Sequence, residues 1–368
     1  MTARDPAAVL AALSRYPPLG RPEQRTAVVG GFVRDVWLGL EPRELDLVVE
    51  GDAIALARRL GGEVTVHDAF GTASASGPGW RIDVATARRE RYPAPGALPE
   101  VEPATLEEDL ERRDFTVNAL AVTLDGGELL AVDDGLADLG AGVLRVLHEE
   151  SFVDDPTRLI RLARYAERLG FAVDPRTAEL AGAATFARLS GARLGTELRL
   201  AGLERDPGAV LARLERKLPI ELDRGRLDAA LAIAPPASDR SMLVLGACAR
   251  DASWLDTLEL TSRERTIALA CMRAPIPESD RPSALWRAWH AVPIEAVAVA
   301  GARGAPARRW IEELRLVALE IDGNDLLAAG IAQGPEIWRR LERTLMRKLD
   351  GEIAPGREHE LADALEER

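Results

Sequence analysis

The sequence predicts an α+β chain, an α/β head followed by a long, all-helical remainder, and two observations carry that reading. Over residues 25–145, short apolar runs at 27–29, 45–49, 80–85 and 119–124 alternate with helical patterns at 32–38 and 52–60, with glycines between them. From about residue 150, Ala, Leu, Glu and Arg dominate. The breaks fall at Asp206-Pro207-Gly208, Ala234-Pro235-Pro236 and Gly304-Ala305-Pro306. These textures divide the chain into a head (1–145), a helical neck (146–200), a helical body (201–315) and a helical tail (316–368).

Composition narrows the function. The 368 residues leave room for two or three domains. Hydrophobic residues at 47% and charged residues at 29% fit a soluble globular protein. No run approaches the ~18 apolar residues a membrane span needs, so no membrane partner is expected. Met1-Thr2-Ala3-Arg4-Asp5-Pro6 lacks the apolar stretch of a signal peptide, and a cytoplasmic location is expected. Cys248 and Cys271 have no metal-ligand spacing, which excludes a disulfide framework or zinc site, and the four scattered histidines suggest no phosphohydrolase. The net charge of -13 argues against non-specific binding of nucleic acid, although a local arginine stripe can persist in an acidic chain. Lysine is nearly absent, with Lys217 and Lys348 standing almost alone among arginines.

Val28-Val29-Gly30-Gly31-Phe32-Val33-Arg34-Asp35 reads as strand, tight turn and helix N-terminus. A turn at Gly30 and Gly31 lets backbone N–H groups approach phosphate, with Arg34 one turn in to pair with it. Alone, such a turn is usually only a turn. In Glu44-Leu45-Asp46, strand alternation puts both carboxylates on one face. They can hold a pair of Mg²⁺ ions, or they line a solvated strand face. Asp83, in Arg81-Ile82-Asp83-Val84-Ala85, either joins that site or faces solvent.

Four stretches in order then resemble one family: Gly30-Gly31-Phe32-Val33-Arg34-Asp35 with Glu44-Leu45-Asp46; Glu108-Asp109-Leu110-Glu111-Arg112-Arg113-Asp114-Phe115-Thr116-Val117-Asn118-Ala119; Gly135-Leu136-Ala137-Asp138-Leu139; and Asp154-Asp155-Pro156-Thr157-Arg158-Leu159-Ile160-Arg161. They resemble the motifs of the class II tRNA nucleotidyltransferase and poly(A) polymerase family. The resemblance implies a polymerase β-like head and template-independent addition of CCA, from CTP and ATP, to the 3′ end of tRNA, with two Mg²⁺ ions. It implies Glu44 and Asp46 as metal ligands, and Asp83, from the strand pattern, stands beside them as the candidate third catalytic carboxylate. Gly30, Gly31, Arg34, Arg113, Asn118, Asp155, Arg158, Arg161 and Arg164 are the expected nucleotide-binding residues. Arg113 lies by the sugar or triphosphate, Asn118 supports that segment, and Arg161 and Arg164 reach phosphate or brace the base-choosing pair. The family usually has aspartate where this chain has Glu44, whose carboxylate reaches about one methylene further.

The base-choosing pair has a physical rationale. Asp155 and Arg158, three apart, share a helix face. Cytosine and adenine both pair an exocyclic amino group with a ring-nitrogen acceptor, which suits a carboxylate beside a guanidinium. Guanine and uracil put a carbonyl where the amino group would be, and Asp155 repels it.

Residues 88–101 read as a Pro/Gly-rich loop. The resemblance implies a flexible loop there that helps the switch from C to A addition. Its full length disfavours a CC-only enzyme, while its wording also resembles A-only enzymes. Full CCA addition is thus expected first, A-only addition second, then a poly(A) polymerase, then an inactive RNA-binding relative supported by Glu44 alone. Residues 321–330 with Gly334-Pro335 resemble the family's tail, which implies contact with the tRNA acceptor arm and elbow. Arg339, Arg340, Arg343, Arg347 and Lys348 make a basic helix there, either a phosphate-contacting face or an ordinary surface. Trp254, Trp286, Trp289 and Trp310 are expected in the core. No P-loop, Gly-x-Ser-x-Gly elbow or His-Glu-x-x-His helix occurs, and no obligatory protein partner is evident.

Overall fold

The computed structural model describes residues 5–17, 19, 22–67 and 71–366. Met1 to Arg4, on which the reading of the N-terminus partly rests, lie outside them. The chain divides into two compact units, Met1–Ser190 and Gly191–Arg368.

All named strands among the described residues belong to the first unit: β1 (Thr26–Val29), β2 (Leu45–Val49), β3 (Glu63–His67), β4 (Thr72–Gly77), β5 (Trp80–Thr86), β6 (Arg88–Arg91), β7 (Glu100–Pro103), β8 (Leu120–Thr123), β9 (Leu129–Ala131), β10 (Val143–Leu144) and β11 (Ala172–Val173). Seven form one mixed sheet in the order β3-β4-β5-β2-β1-β8-β9. Within it β2 and β5 run parallel, and the other neighbours pair antiparallel. The central strands read as unbroken apolar runs because both of their faces are covered. Val28, Leu47, Val49, Ile82, Val84 and Val122 pack on one side with Phe32 and Leu56. On the other, Ala27, Val29, Val48 and Ala121 pack with Leu106 and Leu110.

β3 and β4 are absent from the sequence reading. In β4 the inward positions are only Ala73 and Ala75, alternating with serines, and β3 is an edge strand with Glu63, Thr65 and His67 exposed. Residues 88–101, expected as loop throughout, instead begin and end as the hairpin strands β6 and β7, and the loop proper is confined to 92–99.

Helix ends follow their capping residues. The Asp52 carboxylate accepts from Ala55 N–H at 2.9 Å ahead of helix Ala53–Leu60, and Thr105 with Glu108 forms a capping box on Leu106–Glu111. Helix Thr157–Leu169 buries Leu159, Leu162, Ala163 and Ala166 at helical spacing and stops at Gly170, which is left-handed at φ 67°.

The second unit is helical from Gly191–Gly202 to Arg357–Leu365. Asp206, Asp223, Asp239 and Asp251 each cap a helix N-terminus with the side chain. Trp289 and Trp310 are buried and meet edge-to-face at 6.2 Å. Trp254 and Trp286 are only partly buried, and Trp286 stacks on His290 at 3.8 Å. Near the C-terminus Ile321, Leu326 and Ala364 form a small separate core. No helix of the described residues is long and apolar enough to cross a membrane.

Candidate active site

β1 ends in the Gly30 turn. Val28 pairs with Leu47 in antiparallel register, which brings that turn level with the start of β2, where Asp46 stands. On the opposite side of β2, Asp46 is the register partner of Asp83 on β5. Alternation turns both carboxylates to the face that carries Val48, at its polar end. Gly30 takes φ +68°, and a Cβ there would lie 2.7 Å from Arg113 Nη1. The backbone conformation therefore requires glycine, and any side chain there would also displace the Arg113 guanidinium. Arg113 Nη2 donates to Asp109 Oδ2 at 3.1 Å, while its buried Nε meets no partner among the described residues.

Burial pushes the Asp46 carboxyl up to about 6; Arg113 pulls it back, Asp83 and Glu44 push it further, and Arg161 opposes them. A carboxylate so raised carries negative charge that its surroundings leave under-compensated, which a divalent cation relieves. Hard oxygen donors from adjacent strands suit Mg²⁺, which takes one or two protein carboxylates and completes its shell with water and substrate phosphate. Among the described residues no group of three or more His, Cys, Asp or Glu side chains gathers to hold an ion. Glu44 is exposed, one residue ahead of β2, and the carboxylates that the strand register sets side by side are Asp46 and Asp83. Asp83 Oδ1 accepts from Ser74 Oγ and, at 3.1 Å, from Arg81 Nε and Nη2.

Arg34 departs from its expected place at phosphate. It is 2% exposed. Its Nε and Nη2 donate to Asp35 Oδ1 at 2.8 and 2.6 Å, and its Nη1 to Asn118 Oδ1 at 2.5 Å. A buried guanidinium needs such partners, and meeting them turns Arg34 into the fold. Asn118 Nδ2 donates to Asp114 Oδ1 at 2.9 Å, and Arg161 Nε donates to Asp114 Oδ2 at 2.7 Å. Burial alone would raise the Asp114 carboxyl, but Arg161 and Asn118 hold it below the usual range.

Asp155 and Arg158 do not share one helix. Asp155 stands at the corner between helices Ser151–Asp154 and Thr157–Leu169, with φ -130° and ψ 93°, because the following Pro156 disfavours helical geometry in its predecessor. Its Oδ1 accepts from Thr157 N–H at 2.9 Å and from Thr157 Oγ1 at 2.5 Å. Arg158 is buried, donating from Nη1 to Ser151 Oγ at 2.6 Å and from Nη2 to the Arg112 carbonyl at 2.7 Å. Beside this corner sits the 92–99 loop, where Gly96 N–H donates to the Val153 carbonyl at 3.1 Å. Burial and Glu90, whose Oε2 accepts from the Tyr92 hydroxyl at 3.0 Å, push the Tyr92 phenol up, with Arg158 opposing and Asp155 adding. Arg164 is buried at 8% exposure.

Residues 26–145 match the Poly A polymerase head domain. Over 98% of its length and 98% of the other's, the chain matches a solved structure titled as a CCA-adding enzyme in apo form II, with a TM-score of 0.80 and 32% identity. The chain belongs to the tRNA nucleotidyltransferase family. A Thermotoga maritima CCA-adding enzyme complexed with tRNA matches over 98% of both chains with a TM-score of 0.73 and 29% identity. An A-adding tRNA nucleotidyltransferase of Geobacter sulfurreducens is 33% identical over 388 residues, 89% of this chain and 43% of that protein. A CC-adding tRNA nucleotidyltransferase of Deinococcus radiodurans is 44% identical over 197 residues, 51% of this chain and 52% of that protein. The chain thus spans about half or less of these two relatives' length.

In this chain most cations of the basic helix Pro335–Leu349, expected as a phosphate-contacting face or as an ordinary surface, are paired within the protein. Arg340 is buried and donates to Glu336 Oε1 and the Ala364 carbonyl, and Arg343 donates to the Asp363 and Glu366 carbonyls. Arg347 pairs with Asp363 and Glu352, and Lys348 with Glu360 at 2.5 Å. These side chains neutralise and cap helix Arg357–Leu365, as cations near a helix C-terminus do. Arg339 stays exposed, 3.5 Å from Glu336. Sequence reasoning missed Asp109, Asp114 and Tyr165. The two acids were quoted within a motif but given no role. Tyr165 could have been found as the aromatic four residues after Arg161.

Proposed function

We propose that the chain adds CCA, without a template, to the 3′ end of tRNA from CTP and ATP. The 3′-hydroxyl attacks the nucleotide α-phosphate in line and pyrophosphate leaves. The observation that carries this reading is the pairing of Asp46 with Asp83 on adjacent parallel strands, level with the Gly30 turn and Arg113. A pair of Mg²⁺ ions held by Asp46 and Asp83, with Glu44 adjacent, would neutralise triphosphate charge and acidify the attacking hydroxyl. Arg113, whose Nε has no partner among the described residues, binds the triphosphate or sugar. Asp155 accepts from the amino group that cytosine and adenine share, and Arg158 donates to the ring edge. Asn118 and Arg161, both bound to Asp114, support the segment that carries Arg113, and Arg161 and Arg164 serve the nucleotide phosphates. Residues 1–145 serve as head, 146–200 as neck, 201–315 as body and 316–368 as tail against the tRNA.

Addition of the terminal A alone is the second reading, favoured by the Geobacter relative that shares 89% of this chain. Three tRNA transcripts ending before CCA, after C and after CC separate the two, given Mg²⁺ with CTP and ATP singly and together. Growth of all three to CCA supports the proposal. Extension of the CC-ending transcript alone replaces it with A addition, and extension of none removes both.

A further inference from the structure

Tyr165, part-buried on helix Thr157–Leu169, has surroundings that the proposed reaction leaves unexplained. Three guanidinium groups gather on its ring, with Arg34, Arg161 and Arg168 Cζ atoms 5.1, 5.4 and 5.5 Å from the centroid. Phe115 meets the same ring edge-on at 5.9 Å. The Tyr165 hydroxyl accepts from Arg161 Nη2 at 3.0 Å, while Arg161 Nε donates to Asp114 Oδ2. The other Asp114 oxygen accepts from Asn118, which accepts from Arg34, and Arg34 returns to the Tyr165 ring.

These contacts close a circuit: Tyr165, Arg161, Asp114, Asn118, Arg34, Tyr165. It joins helix Gly31–Trp37, residues 114–118 and helix Thr157–Leu169. It also borders the Gly30 turn, because Asp114 follows Arg113 directly and the Asn118 carbonyl lies 3.7 Å from where a Gly30 Cβ would be. An aromatic that merely filled the core would need neither a hydroxyl partner nor three cations. Asp35 and Asp114 neutralise Arg34 and Arg161, and the negative face of the ring adds a further attraction for the guanidinium groups gathered on it.

We propose that Tyr165 is a positioning residue of the nucleotide site, orienting Arg161 on Asp114 and locking Asn118 and Arg34 behind it. The proposal rests on the reading of the chain as a nucleotidyltransferase. Base choice is held by separate contacts, Arg158 on Ser151 and the Arg112 carbonyl and Asp155 on Thr157, so Tyr165 governs how firmly a nucleotide is held and leaves its identity alone.

The test compares the full-length wild type with Tyr165→Phe, which keeps the ring and its volume, and with Tyr165→Leu. Arg161 Nε–H exchange is followed by NMR, CTP and ATP binding by equilibrium dialysis, and KM, kcat and selectivity against UTP and GTP by primer extension. With Tyr165→Phe, Arg161 Nε–H exchange should accelerate, and nucleotide KM and Kd should rise about tenfold, the worth of one hydrogen bond to a charged group. Its kcat, selectivity and melting temperature should stay near wild type, and Tyr165→Leu should go further in the same direction. Wild-type exchange in Tyr165→Phe would overturn the proposal. So would a fall in kcat and melting temperature together with KM unchanged, or broadened selectivity. A wild-type chain that extends no transcript defeats the nucleotidyltransferase reading instead, and exchange with dialysis still decides the place of Tyr165.

Discussion

Asp46 is under opposite demands from folding and from chemistry. Its carboxyl, pushed up to about 6 by burial and by Asp83 and Glu44, is harder to ionise in the folded chain than in the unfolded one, whose ordinary value is 3.8. The sign follows: below pH 3.8 both states are protonated and Asp46 is neutral to stability. Between 3.8 and about 6 the unfolded chain ionises first and stability falls, and above 6 the whole penalty is present. Asp46→Asn should therefore stabilise the protein in EDTA at pH 7.5 by about 1–3 kcal/mol, with no gain at pH 3.5. The same variant should lose nucleotide incorporation. Parallel urea melts at the two pH values check the first part, and an equal gain at both would mean the charge is not the cause. At Gly30, with φ +68° and Arg113 Nη1 where a Cβ would go, Gly30→Ala should cost about 1–3 kcal/mol and depress incorporation more than stability. A melting curve beside a rate measurement checks this, and wild-type values in both would contradict it. The turn at Gly30 and the strand that carries Asp46 were legible in the sequence because both are local: two glycines after an apolar run, and an alternating strand. Arg34 was misread because a buried partner 84 positions away, Asn118, decides where its guanidinium goes.

At the level of elements, legibility tracks side-chain size. β1, β2 and β5 announce themselves with Val, Leu and Ile, whereas β4 offers only Ala73 and Ala75 inward and depends on its neighbours for definition. The β6–β7 hairpin is hidden for another reason. Its residues are mostly charged and are fixed by an ion-pair cluster in which Glu90 Oε1 accepts from Arg88 and Arg112. Paired charges also join helices in the second unit. Arg199 on Gly191–Gly202 binds both oxygens of Glu264, at 2.5 and 2.8 Å, near the start of Ser262–Arg273. Arg199 holds the Glu264 carboxyl down to about 2, with burial opposing it and the Thr261 cap assisting. A depressed carboxylate stabilises the fold above its unfolded value of 4.5, and that contribution is lost as pH falls toward 2. Because the pair is partly exposed, about 1–2 kcal/mol is the expected size. Glu264→Gln should lower stability by that amount at pH 7 and leave it unchanged near pH 2, by chemical denaturation at each pH. An equal deficit at both would mean that the charge on Glu264 is not the cause.

For the molecule as a whole, the net charge of -13 and a proposed RNA substrate must be reconciled. The basic helix Pro335–Leu349 offered the simplest reconciliation on sequence, since its arginines recur along one helix. Their neutralising partners in 352–366 are legible only once the two segments meet. With those side chains already paired, few cations of that helix remain to displace counterions from a phosphate backbone. Shape and the 3′ end must then carry more of the recognition than a basic track does. That has a measurable consequence. Tight binding through about three phosphates gives a log–log dependence of affinity on salt with a slope near -3, while a continuous track touching eight to ten gives about -8. We expect the shallow slope for a tRNA ending in CC, from fluorescence anisotropy between 50 and 300 mM KCl. Arg339→Ala, which removes the most exposed guanidinium of that helix, should reduce the slope by no more than about one. A slope near -8 would mean that the Arg340, Arg343 and Arg347 pairs open when RNA arrives. Replacing Glu352 or Asp363, their acidic partners, would then strengthen tRNA binding; under the shallow-slope expectation these replacements leave affinity unchanged and lower only the stability of the C-terminal helices.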